Sequence, residues 1–516
     1  METRRGHYFL FFTVLLGLVF FSYLNQLIFR YSVPPGLDAV PHNEVVRNIL
    51  NGDIGQIFRY HTLWHILTIL LSSVTRLPTI TAMAWLGPLL LVTSSISLYI
   101  FNRRFFSPLA GYTSLLLLGF TSLQPLQTLY DGSFPNVLAA GTVLPLAFIL
   151  FENIFHSVKK ARAIFLFVLG FIILAFSHHL TTLYALATMG IFLLVFLTQY
   201  CRQKRISWFL ILFVLIVSLL LGFLTLNWLL HSPLTENSVF SLANQFMATS
   251  FHYPFIHFKG VLDDPNAIWR ISLYPQEIGE AVVYLGIMGF FAGLYFLKKR
   301  PADTAWNAVA LLIIWSCVLF LGSRMEALAY PVRLARDLAI PLALLSGVFV
   351  HLVWSYIVEH GLPRWLFAVI IILIIFLAYP STTKRFAIAT HPSNLVHHLP
   401  VDQLASDYLE KNTPEGSKIL IFHDNYYLGF FLPNREVMWQ LPTAMIPKVL
   451  HLVDLKETLK GIDYVYVEER PDRESSQVNN TDITYNYLRS PVVKLVATFE
   501  QPEKKIYLFR VVGADK

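Results

Sequence analysis

Apolar residues fall in long uncharged blocks joined by short polar or basic segments, and most blocks are long enough to cross a membrane. Residues 8–29 contain no Asp, Glu, Lys or Arg, and about 20 such residues cross a hydrocarbon core as a helix. The same pattern predicts spans at 8–29, 80–101, 109–129, 137–151, 163–177, 180–198, 207–229, 281–297, 305–322, 338–357 and 365–380, eleven in all. Residues 59–75 are also rich in apolar side chains, but counting them as a span would reverse the side of every later loop. The segment is therefore expected to be an interfacial or re-entrant helix.

Beyond residue 380 the pattern changes to alternating helix and strand signals. An amphipathic helix is expected at 401–412, a turn at Pro414-Glu415-Gly416, and a strand from Lys418 to Phe422. A helix at 443–460, a strand at 462–467 and two strands at 492–499 and 505–512 complete the tail. The expected fold class is a polytopic α-helical membrane protein of about 11 transmembrane helices with an extracytoplasmic α/β domain at its C-terminal end. Its expected domains are 1–380, with a first outer loop at 30–79, and 381–516.

Composition excludes a soluble globular class: 55% of residues are hydrophobic, only 14% are charged, and mean hydropathy is +0.56. Residues 1–380 hold 23 Lys and Arg against 15 Asp and Glu, whereas residues 381–516 hold 16 against 17. The basic excess gathers at Arg4 and Arg5, Arg103 and Arg104, Lys159 to Arg162, Arg202 to Arg205, Lys298 to Arg300, and Arg364. These are the joints expected on the inside, so the N-terminus is expected in the cytoplasm and the C-terminal domain outside a plasma membrane. The net charge of +7 is thus an orientation signal and gives no reason to invoke nucleic acid. Arg4 and Arg5 precede the first span and Pro34-Pro35 follows it, with no small-residue cleavage site, so a retained anchor is expected. Cys201 and Cys317 provide no disulfide framework for the tail.

The chemistry-bearing residues collect on the expected outer face. Asp38 lies in Pro34-Pro35-Gly36-Leu37-Asp38-Ala39-Val40-Pro41-His42-Asn43-Glu44, just beyond the first span, where a carboxylate is a candidate base or metal ligand. Asp is also a favoured helix N-cap before a segment such as Pro41 to Val45. Asp131 is the only charged residue between Arg104 and Glu152, and Asp131-Gly132 alternatively reads as a simple chain reversal. His178 and His179 interrupt a 39-residue run free of Asp, Glu, Lys and Arg. On a continuous helix they would diverge, one facing a site and the other the interface. Arg333 and Arg336, three apart, can share a helical face as a phosphate clamp or snorkel to the interface. The loop 230–280, with His252, His257, Lys259, Asp263, Asp264 and Arg270, reads equally as a lid or a structural plug.

This layout resembles the GT-C glycosyltransferases: a first outer loop with a Pro-Pro-Gly-x-Asp segment and nearby His42, a second acidic turn at Asp131, arginines before a late span, and a terminal α/β domain. That superfamily includes oligosaccharyltransferase catalytic subunits, protein O-mannosyltransferases, aminoarabinose transferases and membrane proteins labelled as related to 6-pyruvoyl-tetrahydropterin synthase. The resemblance implies transfer of a hexose or pentose from a polyprenyl phosphate or diphosphate carrier to a lipid, glycan or protein acceptor, with inversion. It implies Asp38 as catalytic acid of the first loop and Asp131 as a second carboxylate. It further implies Arg333 or Arg336 on the lipid phosphate, joined here by His178 and His179. His42, Glu44, His257 and Lys259 are candidates for the acceptor or the loop. A divalent cation, Mg or Mn, is the candidate cofactor, with Asp38, Asp131 and His179 as its candidate ligands. The chain has no Trp-Trp-Asp signature, and Asp131 is a lone acid, which leaves metal dependence and a protein-asparagine acceptor open.

Sugar transfer also suits these residue types on physical grounds. A carboxylate can take the proton of an attacking hydroxyl, and guanidinium groups can stabilise a departing phosphate. The rival readings are a transporter or flippase of a lipid-linked sugar, a lipid-linked polysaccharide polymerase or ligase, and a non-catalytic envelope scaffold. Transport predicts ionisable groups near the membrane midplane or repeated halves. Neither is evident in the sequence.

Overall fold

The computed structural model describes residues 2–29, 33, 34, 36, 39–53, 55, 62–204, 274–299, 303–323, 331–390, 400–422, 432, 435–438, 459–469, 487–502 and 504–512. The expected span 207–229, residues 230–273 of the expected loop 230–280, residues 443–458 of the expected helix 443–460, and Asp38, His257 and Lys259 lie outside them. Among the described residues, nine helices are long and apolar enough to cross a membrane. The protein is thus an integral multi-pass membrane protein with a C-terminal sheet. Its chain divides into two compact units, the first made of 1–24, 44–129 and 133–389, the second of 25–43, 130–132 and 390–516.

In the first unit, α1 (Glu2–Phe29) and α2 (Ala39–Leu50), each of which lies partly in the second unit, precede α3 (Thr62–Thr75) and α4 (Thr79–Phe105). At 14 residues α3 is about 21 Å long, shorter than the hydrocarbon core, in keeping with a non-spanning helix. It buries Trp64, His65 and Thr68, and Trp64 stacks on Phe134 at 4.8 Å. The expected span 109–129 is interrupted: α5 (Pro108–Leu116) runs into a π-helical turn at Leu117–Thr121, and only the short α6 (Leu126–Tyr130) follows. Ser107 caps α5 by accepting the Ala110 N–H, and Pro108 sits in its first turn. A rod from Phe134 to His156 comprises α7 (Phe134–Val137), a π turn (Leu138–Val143) and α8 (Leu144–His156). Then come α9 (Lys160–Ser177), α10 (His179–Lys204), α11 (Tyr274–Ile278), α12 (Glu280–Lys299), α13 (Thr304–Gly322), α14 (Pro331–Asp337), α15 (Ala339–Glu359) and α16 (Trp365–Thr390).

Small residues set the helix spacing. A Cβ on Gly289 of α12 would lie 2.0 Å from the Leu345 carbonyl of α15, and one on Gly286 would lie 2.9 Å from that of Leu342. The two backbones are therefore in direct contact, the packing that glycine permits between membrane helices. Buried polar side chains link other helices: Asn102 Nδ2 donates to Ser114 Oγ at 2.6 Å and to the Leu344 carbonyl at 2.9 Å. Ser114 Oγ donates to the Ala343 carbonyl at 2.9 Å. The last span is held at its far end. Arg385, fully buried, donates from Nη1 to the Leu118 and Ser122 carbonyls at 2.6 and 2.5 Å, and its guanidinium lies 5.5 Å over the Phe21 ring.

In the second unit, α17 (Pro400–Asn412) covers a five-stranded sheet of order β2-β1-β3-β5-β4, with β1 (Lys418–Phe422), β2 (Glu436–Met438), β3 (Tyr464–Glu469), β4 (Val493–Gln501) and β5 (Lys504–Val511). β1 pairs parallel with β2 and β3, whereas β5 pairs antiparallel with β3 and β4. Strand alternation sends Ile419, Ile421, Tyr464, Tyr466, Ile506 and Leu508 toward Val401, Ala405 and Leu409 of α17. Leu420, Val465, Val467 and Phe509 form a second core with Leu459 and Tyr487. Charge is buried beside the first core: Lys504 Nζ lies 2.7 Å from Asp402 Oδ1 and 2.8 Å from Glu468 Oε2, with all three side chains at most 1% exposed. The Tyr466 hydroxyl also donates to Asp402.

Candidate functional site

The first acidic region is built by two chain segments of the second unit. α6 ends at Tyr130, and Gly132, at φ +86°, turns the chain after Asp131. Asp131 is half-buried. Gly36 takes φ +90°, a conformation costly for residues with a Cβ. Space demands glycine there as well: a Cβ would sit 2.2 Å from the Tyr130 carbonyl oxygen, 2.3 Å from the Asp131 carbonyl carbon and 2.4 Å from the Gly132 nitrogen. Gly36 thus lies directly on the Asp131 turn. Asn25, near the end of α1, adds a tie, its Nδ2 donating to the Tyr130 hydroxyl at 2.5 Å. α2 begins at Ala39, so Asp38 is the residue before its first turn, with Gly36 two residues upstream. On α2, His42 is buried and Glu44 exposed.

The second region belongs to the first unit and brings together helices far apart in sequence. Asp337, 5% exposed, closes α14, with Arg333 and Arg336, both half-buried, on the same short helix. Its Oδ1 accepts from Asn136 Nδ2 at 2.8 Å and its Oδ2 from the Tyr184 hydroxyl at 3.1 Å. Both guanidinium charges act on Asp337, and that of Arg333 also acts on His179. Asn136 and Tyr184 were not among the sequence candidates; their partner lies 201 and 153 residues away, and no local pattern marks such a contact.

His178 and His179 do not diverge as a continuous helix would require. His178 is extended, at φ −164° and ψ 121°, and separates α9 from α10. Both rings are buried, with centroids 5.2 Å apart. His178 Nδ1 is 2.9 Å from the Thr181 hydroxyl, which orients the ring. Among the described residues, no three His, Cys, Asp or Glu side chains gather as a metal-binding group. Asp38, one of the three candidate ligands, lies outside those residues.

No family model matches the chain, and no curated protein matches it by sequence. Solved structures do match by fold. An oligosaccharyltransferase of Archaeoglobus fulgidus in the apo form aligns with a TM-score of 0.58 at 13% identity, over 88% of this chain and 69% of its own. ArnT from Cupriavidus metallidurans, also apo, aligns with 0.53 at 15% identity over 98% of both chains. The arabinofuranosyltransferase AftD from Mycobacteria aligns with 0.53 at 14% identity, over 98% of this chain and 41% of its own. The first was also solved with Zn and sulfate, the oligosaccharyltransferase AglB from Archaeoglobus fulgidus with an inhibitory peptide and a dolichol-phosphate, and ArnT with undecaprenyl phosphate. Identities this low speak for the fold alone: this chain shares the fold of these three proteins.

Proposed function

We propose that the protein is a membrane glycosyltransferase that moves a hexose or pentose from a polyprenyl phosphate or diphosphate to an acceptor on the outer face of the membrane, with inversion. The observation that carries this reading is the seating of Gly36, two residues before Asp38 in sequence, on the Asp131 turn in a chain that shares the fold of ArnT. Two peptide units span at most about 7 Å, so Gly36 keeps the two acidic segments close. Asp38 acts as base, taking the proton of the acceptor hydroxyl as its oxygen bonds to the anomeric carbon and the bond to the carrier phosphate breaks. Asp131 is the second carboxylate.

By residue type, Arg333 and Arg336, together with His178 and His179, are assigned to the departing phosphate, whose growing charge guanidinium groups stabilise. His42 supports the first loop from its buried place on α2, and the exposed Glu44, with His257 and Lys259 of the long loop, contacts the acceptor. Two carboxylates offer hard oxygen ligands suited to Mg or Mn, and such an ion would neutralise phosphate charge when bound. The neighbours' dolichol-phosphate and undecaprenyl phosphate support a polyprenyl carrier. The N-terminus lies in the cytoplasm and the sheet domain outside.

Transport gains less support. Glu152 is buried in a span, 3.1 Å from His156, but it lies within the last turn or so of α8 and not at mid-helix. The test is sugar transfer by purified protein from a panel of radiolabelled polyprenyl-phosphate sugars, wild type against Asp38→Asn at equal folded amounts, with and without EDTA. Release of polyprenyl phosphate that the substitution abolishes is expected. Unchanged turnover in the variant would remove Asp38 as base, and donor binding without turnover in the wild type would shift the reading to transport or scaffolding. Activity that survives EDTA would assign Asp131 to the acceptor and not to a cation.

A further inference from the structure

We infer that Gly36, Tyr130 and Asn25 form a latch that sets the distance between the two acidic segments, and that they are positioning residues for the transfer proposed above, on which this inference rests. Three observations converge. Gly36 stands in a left-handed conformation with no room for a Cβ. The atoms that close that room are the peptide groups on either side of Asp131, not a distant part of the fold. Tyr130, the residue that supplies the nearest of those atoms, is 6% exposed and tied through its hydroxyl to Asn25, which is 5% exposed.

The latch therefore acts on backbone. Asn25 fixes Tyr130, Tyr130 and Gly132 bracket Asp131, and Gly36 rests against all three residues. Asp38 follows Gly36 by two residues, and α2 starts one residue later, so only Leu37 and Asp38 separate a displacement at Gly36 from the start of the helix. Any side chain at 36 must lift the loop off the turn by about the excess of a normal contact over 2.2 Å, which exceeds 1 Å. Misplacement on that scale costs on the order of 100-fold in rate when it separates reacting groups.

Two substitutions separate contact from conformation. Asn tolerates positive φ better than other residues with a side chain, so Gly36→Asn relieves the backbone requirement while keeping the clash. If close approach is what matters, Gly36→Ala and Gly36→Asn fail alike. Tyr130→Phe removes only the hydroxyl and keeps the ring, and serves where the Gly36 variants do not fold.

The experiment measures kcat and KM for a radiolabelled polyprenyl-phosphate sugar, together with hydrogen exchange of peptides covering 33–44 and 126–134, in full-length wild type, Gly36→Ala, Gly36→Asn, Tyr130→Phe and Asp38→Asn. We expect kcat to fall about 100-fold in both Gly36 variants and about tenfold in Tyr130→Phe, with donor KM within about threefold of wild type. Exchange should accelerate in those two regions only, and Asp38→Asn should lose turnover without faster exchange. Wild-type kcat in Tyr130→Phe and in whichever Gly36 variants fold, with turnover lost in Asp38→Asn, overturns the latch and leaves the proposed function standing. Recovery in Gly36→Asn alone overturns the close-contact argument. No transfer by the wild type, or full transfer by Asp38→Asn, overturns the proposed function and the latch's role with it.

Discussion

Lys504→Met should be the most damaging single substitution in the sheet domain. Lys504 has no exposed side-chain surface and stands 2.7–2.8 Å from two carboxylates that are themselves at most 1% exposed. Removing it leaves Asp402 and Glu468 buried without their cation. Deleting one partner of a buried ion pair costs about 3–5 kcal/mol, a large part of the 5–15 kcal/mol that holds an ordinary domain folded. The same sheet holds an internal control, since Lys418 pairs with Glu436 at 3.3 Å, but the two side chains are 46% and 57% exposed. Solvent screening makes such a pair worth less than about 1 kcal/mol. Pulse proteolysis of the full-length protein in detergent across a urea series, read by cleavage within 400–516, compares the two. With a urea dependence of about 1–3 kcal/mol per M, Lys504→Met should lower the midpoint by about 1 M or more, and Lys418→Met by a few tenths. Replacing Asp402, Glu468 and Lys504 together by apolar residues should restore much of the loss, because no buried charge then needs solvation. A Lys504→Met midpoint no lower than that of Lys418→Met would refute the reasoning.

Two further outcomes concern the membrane unit. Gly289→Ala should lower thermal stability in detergent by several degrees, because its Cβ would meet a backbone carbonyl at 2.0 Å, whereas Gly190→Ala, with nothing within 4 Å, should be neutral or slightly stabilising; equal effects would argue against glycine-mediated helix contact. Arg385→Leu should cost about 2–4 kcal/mol through two lost charged hydrogen bonds. Lys384→Leu, which loses one exposed bond to the Gln276 carbonyl, should cost less than about 1 kcal/mol, and thermal aggregation of the purified variants ranks the two.

What could be read in advance followed local periodicity. The strand Lys418–Phe422 and the helix at 401–412 carry their own alternation and amphipathicity, and both occur within a residue of expectation. β3 starts two residues later than expected, although Asp463 already bonds both neighbouring strands, its N–H donating to the Lys418 carbonyl and its carbonyl accepting the Val511 N–H, both at 2.9 Å. β2 escaped notice because three residues in parallel pairing leave no pattern. The expected span at 109–129 breaks where Pro125 lacks an N–H and where Arg385, more than 260 residues away, takes the carbonyls of Leu118 and Ser122. Site residues show the same limit. Gly36 and Asp131 are visible as types in their turns, but their mutual contact, like the Asn136–Asp337–Tyr184 cluster, joins segments whose separation erases any local signal.

The last span has a consequence for the bilayer itself. Up to Pro380, α16 presents Val369, Ile372, Ile375, Phe376 and Tyr379 outward, and only 6% of its apolar window is buried, while Ser381 and Arg385 are inaccessible. A helix gripped by buried hydrogen bonds at one end and held along the rest only by one-sided apolar contacts, such as Phe367 on Trp354 and Ile374 and Leu377 on the core, responds to thickness as a loosely hinged rod does. In a thicker membrane it stands more upright, and in a thinner one it leans, at a cost of fractions of a kcal/mol per ångström. The gripped end stays where Leu118 and Ser122 hold it. Lipid composition can therefore change the slant of this helix without disturbing the polar contacts at its foot.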